Sequence, residues 1–284
     1  MALKELLVQL NQAEGVESRL RLAMSLANRH ACRLTGLFVG EWNRAQSAAR
    51  ATAELGLATA RALDELDLAV NTEIRRAASR LWSELQRFHN TSGLAVEWQY
   101  VCGFCDAAIR KYSPLTDLCI LGHDGLDHLP SSDWSLCESM LFSLGTPILY
   151  VPKATSVTTL GSRILIAWDG SRAAARALNG ALPLIDKSDH ASILNVDSGQ
   201  HEPSIAVLRA IAQRLKRHCP SADFAQIEAA PKSVADMLQA RAGEMGADLI
   251  VTGAYAHSRL KERIFGGVTR SLLEKTRFPL LMSH

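Results

Sequence analysis

No apolar run in this 284-residue chain approaches the roughly 18 to 20 residues that a spanning helix needs, so no membrane span is expected. The opening Met1-Ala-Leu-Lys-Glu-Leu-Leu lacks a cleavable signal pattern, and a cytoplasmic protein is the expectation. A dominant charge is missing too. The formal net charge of +2 leaves no bulk field to draw nucleic acid or an anionic membrane. Aromatic residues make up only 6%, and Trp42, Trp82, Trp98, Trp134 and Trp168 share no spacing. They read as core or rim residues, not as a base-stacking platform. The six cysteines, Cys32, Cys102, Cys105, Cys119, Cys137 and Cys219, are scattered through apolar or amphipathic segments, which suits reduced thiols better than a disulfide framework. There is no Gly-x4-Gly-Lys-Ser/Thr loop, no Gly-x-Ser-x-Gly elbow and no His-Glu-x-x-His helix, so a dedicated enzyme is not expected. Slow hydrolysis of a bound nucleotide would also need a group that positions water, and none stands out.

What is present is an internal repeat. With 48% hydrophobic and 21% charged residues, each half can bury its own core. The halves, 1–153 and 161–284, are joined by the small and polar stretch Pro152 to Gly161. The second half is the cleaner copy. Arg163-Ile-Leu-Ile-Ala-Trp168 reads as a buried strand that ends in the turn Asp169-Gly-Ser171, and an Ala-rich helix follows through Leu184. Strands are then predicted at 191–196, 224–228, 248–252 and 278–282, with helices over 204–217, 233–245 and 268–275. The first half repeats this order. Thr116-Asp-Leu-Cys-Ile-Leu-Gly122 answers Ala247-Asp-Leu-Ile-Val-Thr-Gly253, and Gly145-Thr-Pro-Ile-Leu-Tyr-Val151 answers Arg277-Phe-Pro-Leu-Leu-Met-Ser283. An insert from Trp42 to about Val70 extends a helix over the first sheet. Strands alternating with helices imply two tandem doubly wound α/β units, because parallel strands need long crossovers.

Ligands of such sheets bind beyond the carboxyl ends of the strands. The stretch Gly253-Ala-Tyr-Ala-His-Ser-Arg-Leu-Lys-Glu-Arg-Ile-Phe-Gly-Gly-Val-Thr-Arg270 begins at such an end and returns to a helix start at Gly266-Gly-Val-Thr269. A helix N-terminus offers free N–H groups and a positive dipole to a phosphate. Thr269 adds a hydroxyl, His257 and Arg259 add charge, and Asp169 supplies a carboxylate that accepts from a ribose hydroxyl or holds a metal.

The Asp169-Gly-Ser turn, Gly253-x-x-Ala256, nine residues and then Gly266-Gly-Val-Thr269 resemble the signature of the universal stress proteins, and the likeness spans the whole chain as two tandem domains. It implies Rossmann-like, adenine nucleotide alpha hydrolase-like domains with strand order 3-2-1-4-5. It also implies a regulatory ligand, ATP or another adenine nucleotide, in the second domain, with Mg entering only alongside the nucleotide. Carried over by position, Asp169 and the backbone of Val196 meet the adenosine, while Gly253, Gly266, Gly267, Val268 and Thr269 surround the phosphates. Ala167, Trp168 and Thr252 line the same cleft. The last strands of the two domains meet as a pseudo-dimer within one chain, and a further homodimer is left open. Ala256 replaces the second glycine, and Gly267 replaces the usual Ser or Thr. These departures weaken the loop without erasing it, since one hydrogen bond to a charged group is worth about 1.5 to 3 kcal/mol.

The first half departs further. Asn11 takes the place of the carboxylate, and its loop from Gly122 keeps only Gly125 and carries Asp124, Asp127 and Asp133, which repel phosphate. No nucleotide is expected there. His123, Asp124, Asp127 and His128 match no compact metal-ligand spacing and read as a solvated loop. Cys102-Gly-Phe-Cys105 has the spacing of a redox dithiol before a helix N-terminus, against the plainer reading of two cysteines in a tight turn. Two other functions stand beside nucleotide binding. One is a nucleotide-free scaffold acting through an unidentified protein partner. The other is a thiol sensor, which requires both sulfurs to be exposed.

Overall fold

The computed structural model describes residues 2–41, 57–122, 136–197, 204–228, 233–254 and 267–284, with side chains at 40–41, 57–71 and 102–103 outside that description. The first half carries β1 (Glu5–Leu10), α1 (Val16–His30), β2 (Arg33–Glu41), α2 (Leu57–Ser92), β3 (Val96–Gly103), α3 (Cys105–Tyr112), β4 (Leu118–Gly122), α4 (Leu136–Ser143) and β5 (Ile148–Val151). The second carries β6 (Arg163–Ala167), α5 (Arg172–Ile185), β7 (His190–Asp197), α6 (Ile205–Leu215), β8 (Asp223–Glu228), α7 (Val234–Glu244), β9 (Leu249–Gly253), α8 (Val268–Lys275) and β10 (Leu280–Ser283).

Among the described residues, ten strands form one sheet in the order β3-β2-β1-β4-β5-β10-β9-β6-β7-β8. Each half is therefore a parallel 3-2-1-4-5 sheet. The seam is different, because β5 and β10 pair antiparallel through Leu280↔Tyr150, Leu281↔Leu149 and Met282↔Ile148.

Strand alternation sends neighbouring side chains to opposite faces, and two cores result. Leu6, Val8 and Leu10 of β1 pack with α1, α2, α5 and α6, whereas Leu7 packs on the face covered by α3, α4, α7 and α8. Helix α1 is held by Leu20, Ala23 and Ala27, which recur at helical spacing on its buried side. The insert lengthens α2 to 36 residues, and Ile74, Ala78, Leu81 and Leu85 lay one stripe of it on the first core. Among the described residues no helix is long and apolar enough to cross a membrane.

The stretch between the halves is fastened at its end. Leu160 is 2% exposed and packs in the first core. The Asp248 carboxylate accepts the N–H groups of Gly161, Ser162 and Arg163 at 3.0, 2.8 and 3.3 Å. Arg29, at the end of α1, donates to Leu160 O at 2.9 Å and to Lys187 O, while Lys187 Nζ donates back to Arg29 O. Each helix end thus receives its C-terminal cation from the other half. Cations suit this position because unsatisfied carbonyls make the helix end electronegative.

Candidate functional site

Sheet register aligns the two halves residue by residue. β1 pairs with β4 through Val8↔Ile120, and β6 pairs with β9 through Ile166↔Val251. Counting on from those pairs, Asn11 stands where Asp169 stands, and Gly122 where Gly253 stands. Both ends are C-terminal strand ends, the place where this architecture takes ligands.

In the second half, Asp169 is exposed at the end of β6, and its Oδ1 accepts the N–H of Ser171 at 2.9 Å. Gly170 has φ 80°, and Ser171 caps α5 by accepting from Ala174 N at 3.0 Å. Ala167 and Val196 pack on the α7/α8 face of the sheet, and strand alternation puts the buried Thr252 there too. Gly267 is the N-cap of α8, with φ −53° and ψ 158°, and Val268 at the first helical position is 37% exposed. Thr269, one residue on, is 4% exposed. The carboxylate thus stands at the end of β6, the neighbour of β9, and α8 opens the return from β9 to β10. Ala256, His257, Arg259 and Gly266 lie outside the described residues.

Two readings of the sequence change here. Trp168 packs on the opposite face, against the core under α5, so its indole does not join Ala167 in one cleft. Consecutive strand residues cannot face the same way. Gly253 also looks toward α5. A Cβ there would meet Ala174 N at 2.4 Å and Ala173 C at 2.7 Å, so the packing of the α5 backbone against β9 requires this glycine whatever the loop holds.

The corresponding end of the first half is filled by protein. Arg19 is 1% exposed, its Nη2 donates to Asn11 Oδ1 at 2.8 Å, and its Nη1 would lie 1.8 Å from a Cβ at Gly122. The guanidinium covers both aligned positions. His123, Asp124, Gly125, Asp127, His128 and Asp133 lie outside the described residues, and among those described no group of His, Cys, Asp and Glu has the arrangement to hold a metal.

Cys105 is 8% exposed and belongs to the core under α3, where Gln9 Nε2 lies 3.6 Å from its sulfur. Burial turns this sulfur away from solvent, so Cys105 does not offer the exposed partner that a dithiol sensor needs; the Cys102 side chain lies outside the described residues. Burial also pushes the Cys32 thiol up to about 11 and Cys119 higher still, the opposite of what a reactive thiolate needs. Trp82 and Trp98 pack together at 5.6 Å beside the first core, while Trp42 and Trp134 lie outside the described residues.

One residue at the site was not singled out from the sequence. Asn195 is 2% exposed, and its Nδ2 donates to Trp168 O at 2.9 Å. An amide between Leu194 and Val196, near the carboxyl end of β7, was the available signal. A groove lined by Glu5, Arg33, Glu97, Gln99 and Tyr112 opens at the other end of the first sheet. Its Arg33 already pairs with Glu97 at 2.6 Å and Glu5 at 3.6 Å, and it lies at the amino ends of the strands, away from the ligand-binding end.

Two tandem doubly wound units, each with a parallel 3-2-1-4-5 sheet, define an α/β architecture whose ligands sit beyond the carboxyl ends of the strands. Residues 162–284 match the model of the universal stress protein family, and the first half repeats the fold of that matched half. A universal stress protein from Archaeoglobus fulgidus is similar over 98% of this chain and 94% of its own, at 18% identity and a TM-score of 0.72. A functionally unknown protein from Pseudomonas aeruginosa, at 16% identity, covers 99% of this chain and 92% of its own with a TM-score of 0.54. A putative universal stress protein from Pseudomonas aeruginosa has the same coverages and TM-score at 14% identity. No curated protein sequence matches the chain.

Proposed function

We propose that the second half binds an adenine nucleotide, ATP being the first candidate, as a regulatory ligand of a cytoplasmic stress-response protein. The observation that carries this reading is the Asp169 carboxylate at the end of β6, next to β9, with the Gly267-capped α8 following β9 in the chain before β10. Asp169 Oδ1 is engaged by its own turn, which leaves Oδ2 to accept a sugar hydroxyl. The first N–H groups of α8 point along its axis out of the helix, where a phosphate gains from both hydrogen bonds and the helix dipole. Ala167 and Val196, on one face of the sheet at the ends of β6 and β7, supply apolar surface beside the Asp169 turn. Magnesium enters only with the nucleotide. The first half is read as nucleotide-free, because Arg19 covers Gly122 and holds Asn11.

Calorimetric titration of the purified chain with ATP and Mg2+ tests this. Saturable binding to about one site is expected, weakened at least about tenfold by Asp169→Ala, which removes hydrogen bonds to a charged group. No binding by the unaltered chain, or binding indifferent to Asp169, overturns it. The nucleotide-free scaffold then becomes the reading, with recognition of another protein as its function.

A further inference from the structure

Asn195 is a costly residue for the place it occupies. It is 2% exposed, and while its Nδ2 donates to Trp168 O, its Oδ1 has no hydrogen-bond partner. The indole Nε1 of Trp168 beside it is likewise buried without a partner. A buried polar atom left unpaired is unfavourable, and an apolar side chain of similar size avoids that penalty. The first half makes this substitution. Register through Leu10↔Phe38 and Ile166↔Ile193 places Phe38 where Asn195 stands and Leu10 where Trp168 stands, both fully buried and apolar. That half also lacks the carboxylate, having Asn11 at the position of Asp169. The polar strand residue and the carboxylate occur together in one half and are both missing from the other.

The geometry links them. Trp168 N donates to Leu194 O at 2.9 Å, and Trp168 O accepts from Asn195, so β7 grips both sides of Trp168. The next residue is Asp169, whose carboxylate closes the turn on Ser171, and Ser171 caps α5. We propose that Asn195 is the positioning residue of the ligand turn: by fixing the Trp168 carbonyl it sets where the Asp169 carboxylate stands and how firmly the turn is held. This rests on the reading of Asp169 as a ligand group only for its effect on binding. The effect on the turn stands by itself.

Asn195→Leu removes the donor and the unpaired acceptor together. In amide hydrogen exchange of the full chain, residues 169–175 are expected to exchange at least about tenfold faster, the loss equivalent to one hydrogen bond, while β7 and β9 keep their protection. Unchanged exchange in the turn overturns the proposal. So does a uniform loss across the domain, which would make Asn195 an ordinary core residue. Asn195→Ser, smaller and too short to reach the carbonyl, gives the same reading should the leucine overpack. ATP titration is the second arm. Where the unaltered chain binds, Asn195→Leu is expected to raise Kd about tenfold with the melting temperature held or raised, and an unchanged Kd refutes the positioning role in binding. Where the unaltered chain does not bind ATP, the nucleotide reading fails alone and the exchange result still decides the proposal.

Discussion

Gly253→Ala separates two explanations of the same glycine. The added Cβ would sit 2.4 Å from Ala174 N, 2.7 Å from Ala173 C and 3.0 Å from Ala173 Cβ. Two of these are backbone atoms in the first turn of α5, which Ser171 caps at 3.0 Å, so no side chain can rotate away. Relief needs the start of α5 or the end of β9 to move by roughly 1 Å. Overpacking of this kind costs about 1 to 3 kcal/mol, and for a chain of this size each kcal/mol lowers Tm by about 2 to 4 °C. Thermal unfolding followed by circular dichroism is therefore expected to show a drop of roughly 2 to 12 °C, with or without nucleotide. Gly145→Ala, where a Cβ meets nothing within 4 Å, is the control and stays within about 0.5 kcal/mol of the unaltered chain. If the glycine serves only the approach of a phosphate, Gly253→Ala keeps its Tm and loses binding alone. A Tm equal to that of the unaltered chain refutes the packing argument.

Other consequences are equally measurable. The half-buried imidazole of His30 has its pKa lowered from 6.5 to about 4 by desolvation first, then by Lys187 and Arg29. Below 6.5 the unfolded chain takes up a proton that the folded one refuses, so stability falls as pH drops from 6.5 toward 4. Urea unfolding at pH 7 and pH 5 is expected to show this loss, and His30→Gln reduces it. Asp248→Ala strips the acceptor from three N–H groups at the join between the halves and is expected to cost at least about 2 kcal/mol by chemical denaturation. Ala31 ends α1 with φ 50°, a left-handed conformation that favours glycine, so Ala31→Gly should raise stability by up to about 1 kcal/mol in the same assay. Five of the six cysteines are buried, so a native thiol titration is expected to find at most one rapidly reacting sulfur per chain; two would contradict the burial of Cys105.

Much of the architecture was legible because it is local. Apolar runs such as Leu249–Gly253 and the helical spacing of Leu208, Leu215 and Ala212 declare their periods within a few residues. The repeat then orders the strands, since parallel strands and right-handed crossovers leave few topologies. The ends of β8 and α7 moved by only a residue or so, as helix and strand ends commonly do. The site was legible in part. Asp169 falls at the end of β6 and Ala167 and Val196 on one face of the sheet, as strand-end and alternation signals led one to expect, whereas which groups face a common ligand depends on contacts that the sequence does not carry.

Sequence alone determined the periods, the repeat and which residue types stand at each strand end, since these depend only on neighbours in the chain. Tertiary structure decided what meets across it: Arg19 over Gly122, Gly253 against the α5 backbone, Asn195 on the Trp168 carbonyl, and Cys105 in the core. Those contacts join residues far apart in sequence. They are set by strand register and by which face alternation assigns to a side chain, and a shift of one residue would reverse every such assignment.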